Sequence, residues 1–413
     1  MALINSRFSF SEDHKASFSR EILEKLESSQ WPFSIKDLPC GTALVGGSIR
    51  DALLDKVNHK PDLDFIVPSN AITLANQLAQ TIGGKCVVLD ADRDIARLVI
   101  HGWTIDFATQ IGKSLEEDLS RRDFTVNAIA LKLDSELEIC DPQCGIYALK
   151  EKKLIAVDEK NLRDDPLRLL RGFRLSAQLN LYLDVQTIEL ISHNVNLLKF
   201  VAHERIKAEL EKLVQGLWAD EVIPVIQRIG LLEPWENKKN AANPTFLSLT
   251  NISSLTANEK DIALPLIRLT NLLSEKGLED LGFSRKKIKD SYYLRYWNMR
   301  NDKFAYKSLN ELERITLHKQ LENILPALIL QLPITEQKVW LHRWRKSDDP
   351  LFHPHSPLDG YKLKEMFNAP QGPWIGDLMD FLCIEKAFGR LQNHQEAEQL
   401  AISWWKQNQP FCD

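Results

Sequence analysis

Hydrophobic and polar positions alternate at short intervals in the first third of the chain. Between residues 41 and 140, five apolar runs have the length and composition of β-strands. These runs are GTALV, DLDFIV, KCVVLD, ARLVIHG and WTIDFAT. Two helical segments lie among them, IRDALLDK and AITLANQLAQTIGG, and a glycine pair closes the second. The pattern predicts a mixed α/β unit of about five strands.

After residue 155 the strand-like runs end, and apolar residues recur with the helical period of 3.6. This spacing is clear in segments 164–179, 185–200 and 203–215, and the N-terminal segment 18–30 shares it. The larger part of the chain is therefore predicted to be helical.

Clusters of Pro, Asn, Ser and Asp predict breaks near 145–160, 236–246 and 347–359. We expect an α+β protein in five parts. They are a helical N-terminal extension (1–35), a mixed-sheet head (36–145), a helical neck (146–215), a helical body (216–346) and a helical tail (347–413).

The composition indicates a cytoplasmic protein of several domains. A chain of 413 residues is too long for one hydrophobic core. No apolar run reaches the ~18 residues that a membrane helix needs, and the N-terminus lacks the apolar core of a secretory signal. The six cysteines are scattered, as expected for reduced thiols, and the spacing of Cys140 and Cys144 does not by itself indicate zinc. A net charge of −5 means that any nucleic-acid partner needs a local basic surface.

The stretch LVGGSIRDALL carries the first candidate chemistry. An apolar run delivers Gly46 and Gly47 to the start of a helix that continues with Ser48. Glycines let a backbone approach a ligand closely, and free N–H groups at a helix start favour an anion. A tight strand-to-helix turn would give the same pattern, which matches neither the P-loop nor the dinucleotide fingerprint.

Three aspartates on strand-like runs form the second candidate site. Asp62 and Asp64 are two residues apart, so both carboxylates point to one face of the strand. Asp106 lies on another apolar run and would complete a three-carboxylate cluster if the two strands are neighbours. Such a cluster suits two Mg²⁺ ions. A solvated strand end remains the alternative for each carboxylate.

Five stretches occur in an order and spacing that identify a family resemblance. They are GGSIRD, DLD, RRDFTVNAIA, DPQCG and LRDDPLRLLRGFRL. Together they resemble the class II tRNA nucleotidyltransferase/poly(A) polymerase family of the polymerase β superfamily, and RRDFTVNAIA is the most specific. The resemblance continues through 203–213 and 356–382, whereas about 215–350 is too diverged to match. It implies a polymerase-β-like nucleotidyltransferase head followed by an all-α neck, body and tail.

The resemblance implies a nucleotide-binding role for a set of residues. The glycine turn would cradle the triphosphate, two arginines would neutralise it, and an aspartate and an asparagine would hold the ribose. The turn residues are Gly46, Gly47 and Ser48, with Arg50 two residues further along the same helix; the two arginines are Arg121 and Arg122, and the ribose pair is Asp123 and Asn127. An arginine fork suits phosphate, and a 2′-hydroxyl needs both an acceptor and a donor. A buried arginine–aspartate pair is the structural alternative.

The segment 163–174 resembles the family's protein template for base selection. Its residues here are Asp164, Asp165 and Arg168, with the family's first glutamate shortened to aspartate. Asp165 and Arg168 are three apart and are expected on one helix face. Asp165 is also a natural helix cap before Pro166. Further along the helix, Arg171 and Arg174 would reach phosphates or pair with acids.

Two further features concern the RNA. Only residues 107–120 lie between the third carboxylate strand and RRDF, where CCA-adding members carry a flexible loop; CC-adding members are similar in lacking it. The basic and aromatic stretches 284–307 and 338–346 are either RNA-facing strips or amphipathic helices with snorkelling cations.

The sequence therefore predicts an enzyme that transfers nucleotides from CTP or ATP to the 3′ end of tRNA, with release of pyrophosphate at a two-metal Mg²⁺ site. The short gap raises the prospect of CC addition alone, with a separate A-adding enzyme acting next. The alternatives are a poly(A) polymerase, a small-molecule nucleotidyltransferase and a non-catalytic RNA-binding relative.

Overall fold

The computed structural model describes residues 12–236, 254–300 and 305–408. The chain forms two compact units. The first runs to Glu209 and includes Gly216–Val222 and Arg228–Leu231. The second comprises Leu210–Gln215, Ile223–Gln227 and the chain from Leu232 onward. The finer division into five parts stays a prediction.

The first unit contains the strands. They are β1 (Ala43–Val45), β2 (Leu63–Val67), β3 (Lys85–Asp90), β4 (Ile95–Ile100), β5 (Trp103–Thr109), β6 (Ala130–Leu133), β7 (Leu137–Cys140), β8 (Lys153–Leu154) and β9 (Tyr182–Leu183). The helices before residue 231 are α1 (Glu12–Lys25), α2 (Gly47–Leu53), α3 (Ala71–Ile82), α4 (Leu115–Leu119), α5 (Gly145–Lys150), α6 (Glu159–Asp164), α7 (Leu167–Leu179), α8 (Val185–Asn194), α9 (His203–Gln215) and α10 (Ala219–Ile229), the last two of which are shared between the units.

Seven strands form one mixed sheet in the order β3-β4-β5-β2-β1-β6-β7. The central neighbours β2 and β5 are parallel, and the other pairs are antiparallel. The α+β fold is therefore confirmed, but the expected strand number was too low. The missed β6 and β7 are four-residue strands of a short hairpin, too short for a clear alternating pattern. Likewise, β8 and β9 are a two-residue pair beyond residue 150.

Aromatic packing anchors the centre of this sheet. Phe65 on β2 lies beside Phe107 on β5, and their rings stack with centroids 5.3 Å apart. Trp31 and Phe33 close over them from the segment after α1. Since successive strand residues face opposite sides, this packing turns Asp64 and Asp106 to the other face.

Most predicted helices are confirmed, with shifts at their ends. The segment 203–215 is α9, and α3 ends where Gly83 adopts a left-handed conformation. The break predicted at 145–160 was wrong in part, because α5 lies there. The Asp141 carboxylate accepts from the N–H groups of Gly145 and Ile146 at 2.7 and 2.9 Å, so its polar cluster starts a helix.

The second unit is helical throughout its described regular elements. They are α11 (Ala257–Leu272), α12 (Glu275–Asp280), α13 (Arg285–Met299), α14 (Glu311–Leu321), α15 (Leu325–Ile329), α16 (Ile334–Trp344), α17 (Gly360–Phe367), α18 (Trp374–Ala387) and α19 (His394–Asn408). The predicted break at 347–359 is confirmed between α16 and α17. The break at 236–246 lies, apart from its first residue, outside the described residues. No helix in the described ranges is long and apolar enough to cross a membrane.

Gly145→Ala should destabilise the first unit by about 3 kcal/mol. A Cβ at this position would lie 2.2 Å from the Thr125 carbonyl oxygen, which belongs to the turn after Asp123. Urea unfolding followed by circular dichroism measures the loss. Gly376→Ala is the control, because a Cβ there meets nothing within 4 Å. Equal stability of the two variants would contradict the close packing at Gly145.

Candidate active site

A cleft of about 810 Å³ opens on the polar face of the sheet in the first unit. Its lining includes every residue that the sequence suggested for catalysis or nucleotide binding. These are Asp62, Asp64, Asp106, Gly46, Gly47, Ser48, Arg50, Arg121, Arg122, Asp123, Asn127, Asp164, Asp165, Arg168, Arg171 and Arg174. Nine arginines and eight aspartates line the cleft, so it suits a polyphosphate and a cation together.

Strand register sets the positions of the carboxylates. Asp64 on β2 lies directly beside Asp106 on β5, and Asp62 comes just before β2. The Asp64 carboxylate has no hydrogen-bond or ion-pair partner among the described residues. Burial raises the pKa of Asp64 to about 6, although the nearby Arg122 guanidinium opposes this shift. A half-buried carboxylate without a partner in the described residues, next to a second one, fits a single Mg²⁺ ion well.

Asp106, unlike Asp64, has a charged hydrogen-bond partner. Arg97, its cross-strand neighbour on β4, donates to both carboxylate oxygens, from Nε at 2.7 Å and from Nη2 at 2.8 Å. Within the described residues, no group of three or more His, Cys, Asp or Glu side chains is arranged to hold a metal. Of the three aspartates expected to cluster, Asp64 and Asp106 are therefore adjacent, and Asp106 is held in an ion pair with Arg97.

Gly46 keeps the space above these carboxylates open. Its φ of 82° lies in the left-handed region, and an added Cβ would lie 3.0 Å from Arg122 Nη1 and 3.3 Å from Asp64 Oδ2. Any side chain here would separate the arginine from the carboxylate. The Ser48 hydroxyl, on the second residue of α2, is buried without a hydrogen-bond partner among the described residues.

Asp123 and Asn127 belong to a chain of internal bonds. Asp123 Oδ1 accepts from the Phe124 N–H at 2.8 Å and from Asn127 Nδ2 at 2.9 Å, and Oδ2 lies 3.4 Å from Arg171 Nη1. Arg50 Nη1 donates to Asn127 Oδ1 at 2.6 Å. Although burial alone would raise it, Arg171 and these donors keep the pKa of Asp123 below its usual value. The buried arginine–aspartate pair is thus present, and ribose contact stays a proposal.

The two arginines at 121 and 122 follow α4 in a turn that other residues hold. Asn161 Nδ2 donates to the carbonyl oxygens of Ser120 and Arg122 at 2.7 and 2.8 Å. Arg168 Nη1 donates to the carbonyl oxygens of Arg121 and Asn161. Helices α6 and α7 therefore fix the backbone from which the two arginine side chains reach into the cleft.

Asp165 does not share a helix face with Arg168, contrary to expectation. It lies in extended backbone between α6 and α7, because the ring of Pro166, the N-cap of α7, disfavours helical backbone in the residue before it. Asp165 Oδ2 accepts from Arg205 at 2.9 Å, and Oδ1 is 3.4 Å from the Leu167 N–H. Its side chain nevertheless lines the same cleft as Arg168.

Further along α7, Arg171 and Arg174 lie against the buried carboxylate of Glu209 on α9. Arg174 Nε donates to Glu209 Oε2 at 2.7 Å, and Arg171 Nε lies 3.8 Å from Glu209 Oε1. Both arginines therefore pair with acids, as one of the two open interpretations held. Their side chains still border the cleft.

The sequence reasoning missed four residues that shape the site, namely Arg97, Asn161, Arg205 and Glu209. Only Arg97 had a local signal. The turn at His101 and Gly102 joins β4 to β5, and counting outward from it pairs Arg97 with Asp106. The other three act on partners about 35 to 41 residues away in the sequence.

Comparisons with known proteins agree with this architecture. A family model described as "Poly A polymerase head domain" matches residues 42–155, which contain the sheet and its carboxylates. The CC-adding tRNA nucleotidyltransferase of Synechocystis sp. (strain ATCC 27184 / PCC 6803 / Kazusa) is 32% identical over 394 residues, covering 89% of this chain and 94% of that protein. The CCA-adding enzyme of Streptococcus uberis (strain ATCC BAA-854 / 0140J) is 28% identical, covering 87% and 91%.

A solved CCA-adding enzyme in complex with CTP has the same fold, with a TM-score of 0.72 at 19% identity, over 93% of this chain and 97% of that one. The fold and the cleft define a nucleotidyltransferase. The chain belongs to the class II tRNA nucleotidyltransferase/poly(A) polymerase family, which confirms the resemblance found in its motifs.

Asp64→Asn should stabilise the metal-free protein. A folded-state pKa above the unfolded value means that wild-type stability falls as the pH rises from about 4 through about 6. Removing the charge should therefore add roughly 2 kcal/mol to the free energy of unfolding at pH 7.5, and less than half of that at pH 4.5. Urea unfolding in EDTA at both pH values measures it. Asp92→Asn, on the exposed β3–β4 turn, is the control, and a gain that does not depend on pH would contradict the assignment.

Proposed function

We propose that this nucleotidyltransferase extends the 3′ end of tRNA and stops after adding two cytidines from CTP. The transfer itself rests on the cleft, where nine arginines surround Asp62 and Asp64, whose carboxylates have no partner among the described residues. In the reaction, the terminal 3′ hydroxyl oxygen forms a bond to the α-phosphorus of the nucleotide. The bond from that phosphorus to the bridging oxygen breaks, and pyrophosphate leaves.

Asp62 and Asp64 would hold the Mg²⁺ ion, which supplies Lewis-acid activation at the reacting phosphate when bound. Arg122 lies over Asp64 and the Gly46 turn, where its guanidinium would neutralise the triphosphate. Gly46, Gly47 and the unsatisfied Ser48 hydroxyl would approach the phosphate oxygens. Arg122 also lies 3.8 Å from Asp118 Oδ2, so this ion pair would compete with the triphosphate for its guanidinium.

Base selection is proposed for Arg168, Asp165 and Asp164. Arg168 donates from Nη1 to two backbone carbonyls. Its Nε and Nη2 have no protein partners in the described part of the chain. Asp165 keeps acceptor capacity at Oδ1, because its Leu167 contact is long. An arginine and a carboxylate can read acceptors and an exocyclic amine on one base edge. Asp123 and Asn127 would contact the ribose while keeping their hydrogen bonds to each other and to Arg171 and Arg50.

Stopping after two cytidines is supported by the segment between β5 and Arg121. Here Asp118 accepts from the Ile111 N–H at 3.0 Å, Glu117 accepts from the Lys113 N–H at 2.7 Å, and Ser114 caps α4. The segment is a short hydrogen-bonded connection with little length to spare for a flexible loop. On this proposal a separate enzyme adds the final A. A cytoplasmic location, where thiols stay reduced, fits the free cysteines of the described residues.

An RNA-facing surface is proposed on α13 in the second unit. Tyr292 and Tyr296 are exposed, and their rings stack 6.3 Å apart. The same helix carries Lys286, Lys287 and Lys289, which can track a phosphate backbone. Trp297 is buried, so the helix serves both core and surface.

The second basic stretch, 338–346, has mainly internal partners. Arg343 pairs with Asp349 through two bonds, and Arg345 pairs with Glu259 in the same way. Trp340 and Trp344 pack against the helical core. We therefore assign this stretch a structural role.

An extension assay tests the function. Transcripts of tRNA that end before CCA, after C and after CC are offered with Mg²⁺ and CTP, ATP or both. We expect the first two to gain cytidines up to CC and the third to remain unextended. Full CCA addition would overturn the stop after CC. Long A tails on unrelated RNA would favour a poly(A) polymerase.

Asp62→Asn and Asp64→Asn should each lower the extension rate at least about a thousandfold, because each removes a proposed metal ligand. Binding of tRNA should be unchanged. Asp92→Asn, an exposed aspartate outside the cleft, should extend tRNA at the wild-type rate. Wild-type turnover of either cleft variant would remove the metal assignment.

Replacing Tyr292 and Tyr296 together by alanine should raise the Kd for tRNA at least about tenfold, since base stacking on aromatic rings is lost. Fluorescence anisotropy of labelled tRNA measures the change, and CTP binding should not change. Tyr147→Ala removes an equally exposed tyrosine from the first unit and is the matched control. Equal affinity of both variants would exclude the α13 surface.

A further inference from the structure

Arg97 and Asp106 form the closest charge pair beside the proposed metal site. They lie opposite each other on antiparallel strands, so their side chains share one face of the sheet. The guanidinium fork donates to both oxygens of the carboxylate at 2.7 and 2.8 Å. This is the two-point geometry in which an arginine binds a carboxylate most strongly.

The remaining carboxylates of the site are also close to this guanidinium. Asp62 and Asp64 raise the pKa of Arg97 together with Asp106, whose hydrogen bonds are the larger cause. One positive charge from the protein therefore already lies among three carboxylates. Asp62 and Asp64 have no such donor among the described residues, which sets them apart from Asp106.

We propose that Arg97, by donating to both oxygens of Asp106, prevents this carboxylate from binding a metal. The nucleotide-free enzyme would then hold one divalent ion, bound by Asp62 and Asp64. This rests on the metal assignment in the proposed function, and it removes Asp106 from the ligands of the resting site. A second ion at Asp106 would have to break both bonds of the fork and remain next to a displaced guanidinium. Arg97 is thus a positioning residue that sets how many ions the cleft holds.

The charge of Arg97 has a second consequence for the ion at Asp62 and Asp64. A fixed positive charge beside a cation site weakens cation binding, and more so in a partly buried cleft than in water. Arg97→Gln removes this charge and frees the Asp106 carboxylate at once. The variant should therefore bind a second ion and bind the first at least about tenfold more tightly.

The experiment counts Mn²⁺ ions bound to the full chain without nucleotide, by electron paramagnetic resonance of the free ion. We expect one ion for wild type, two for Arg97→Gln, and one for the double variant Arg97→Gln with Asp106→Asn. Asp106→Asn alone should still bind one. Arg93→Gln is the charge-matched control, because Arg93 also lines the cleft but lies near Asp90, and it should keep one ion.

Two ions on the wild type, or loss of the ion in Asp106→Asn, would overturn the inference. So would an Arg97→Gln protein that binds one ion with unchanged affinity, or an equal gain in Arg93→Gln. The number of Mn²⁺ ions bound by Asp64→Asn tests the metal assignment separately. If that variant keeps the wild-type ion, the assignment to Asp62 and Asp64 fails, and the inference fails with it. Circular dichroism of each variant confirms that the fold is retained.

Discussion

The parallel pairing of β2 with β5 is the constraint on which the site depends. On one face it stacks Phe65 on Phe107, and on the other it places Asp64 beside Asp106. Burying the aromatic pair stabilises the two strands in one register, since a slip by one residue would turn the rings toward solvent and the carboxylates into the core. The hydrophobic packing thus holds two like charges side by side, which electrostatics alone would separate.

Arginines from several helices and strands compensate the negative charge of the aspartates in the cleft. Arg97 pairs with Asp106 across the sheet, Arg171 lies against Asp123, and Arg205 bonds Asp165. Each pair keeps a buried or half-buried carboxylate compensated, whereas Asp62 and Asp64 have no hydrogen-bond or ion-pair partner among the described residues. That contrast, more than the number of acids, distinguishes the two proposed metal ligands from the aspartates that organise the cleft.

Helices α6 and α7 contribute backbone order as well as side chains. Asn161 and Arg168 donate to the carbonyl groups around Arg121 and Arg122, so this turn depends on residues that come 39 to 47 positions later. The proposed base-reading residues and the proposed phosphate-binding turn are therefore coupled through hydrogen bonds. A change in the position of α7 would move both.

The sequence by itself determined the family, the α+β class and the membership of the cleft, because the motifs, strand patterns and charged residues that carry them are local. It also left open an internal arginine pair for Asp123 and an acid partner for Arg174, and both are present in the structure. Only the tertiary structure decided which charges pair, since Arg97, Arg205 and Glu209 find their partners through strand register and helix packing. It also showed that Asp165 lies outside the helix of Arg168, because Pro166 disfavours helical backbone in the residue before it. Partner choice depends on distances across the fold, which spacing along a chain does not contain.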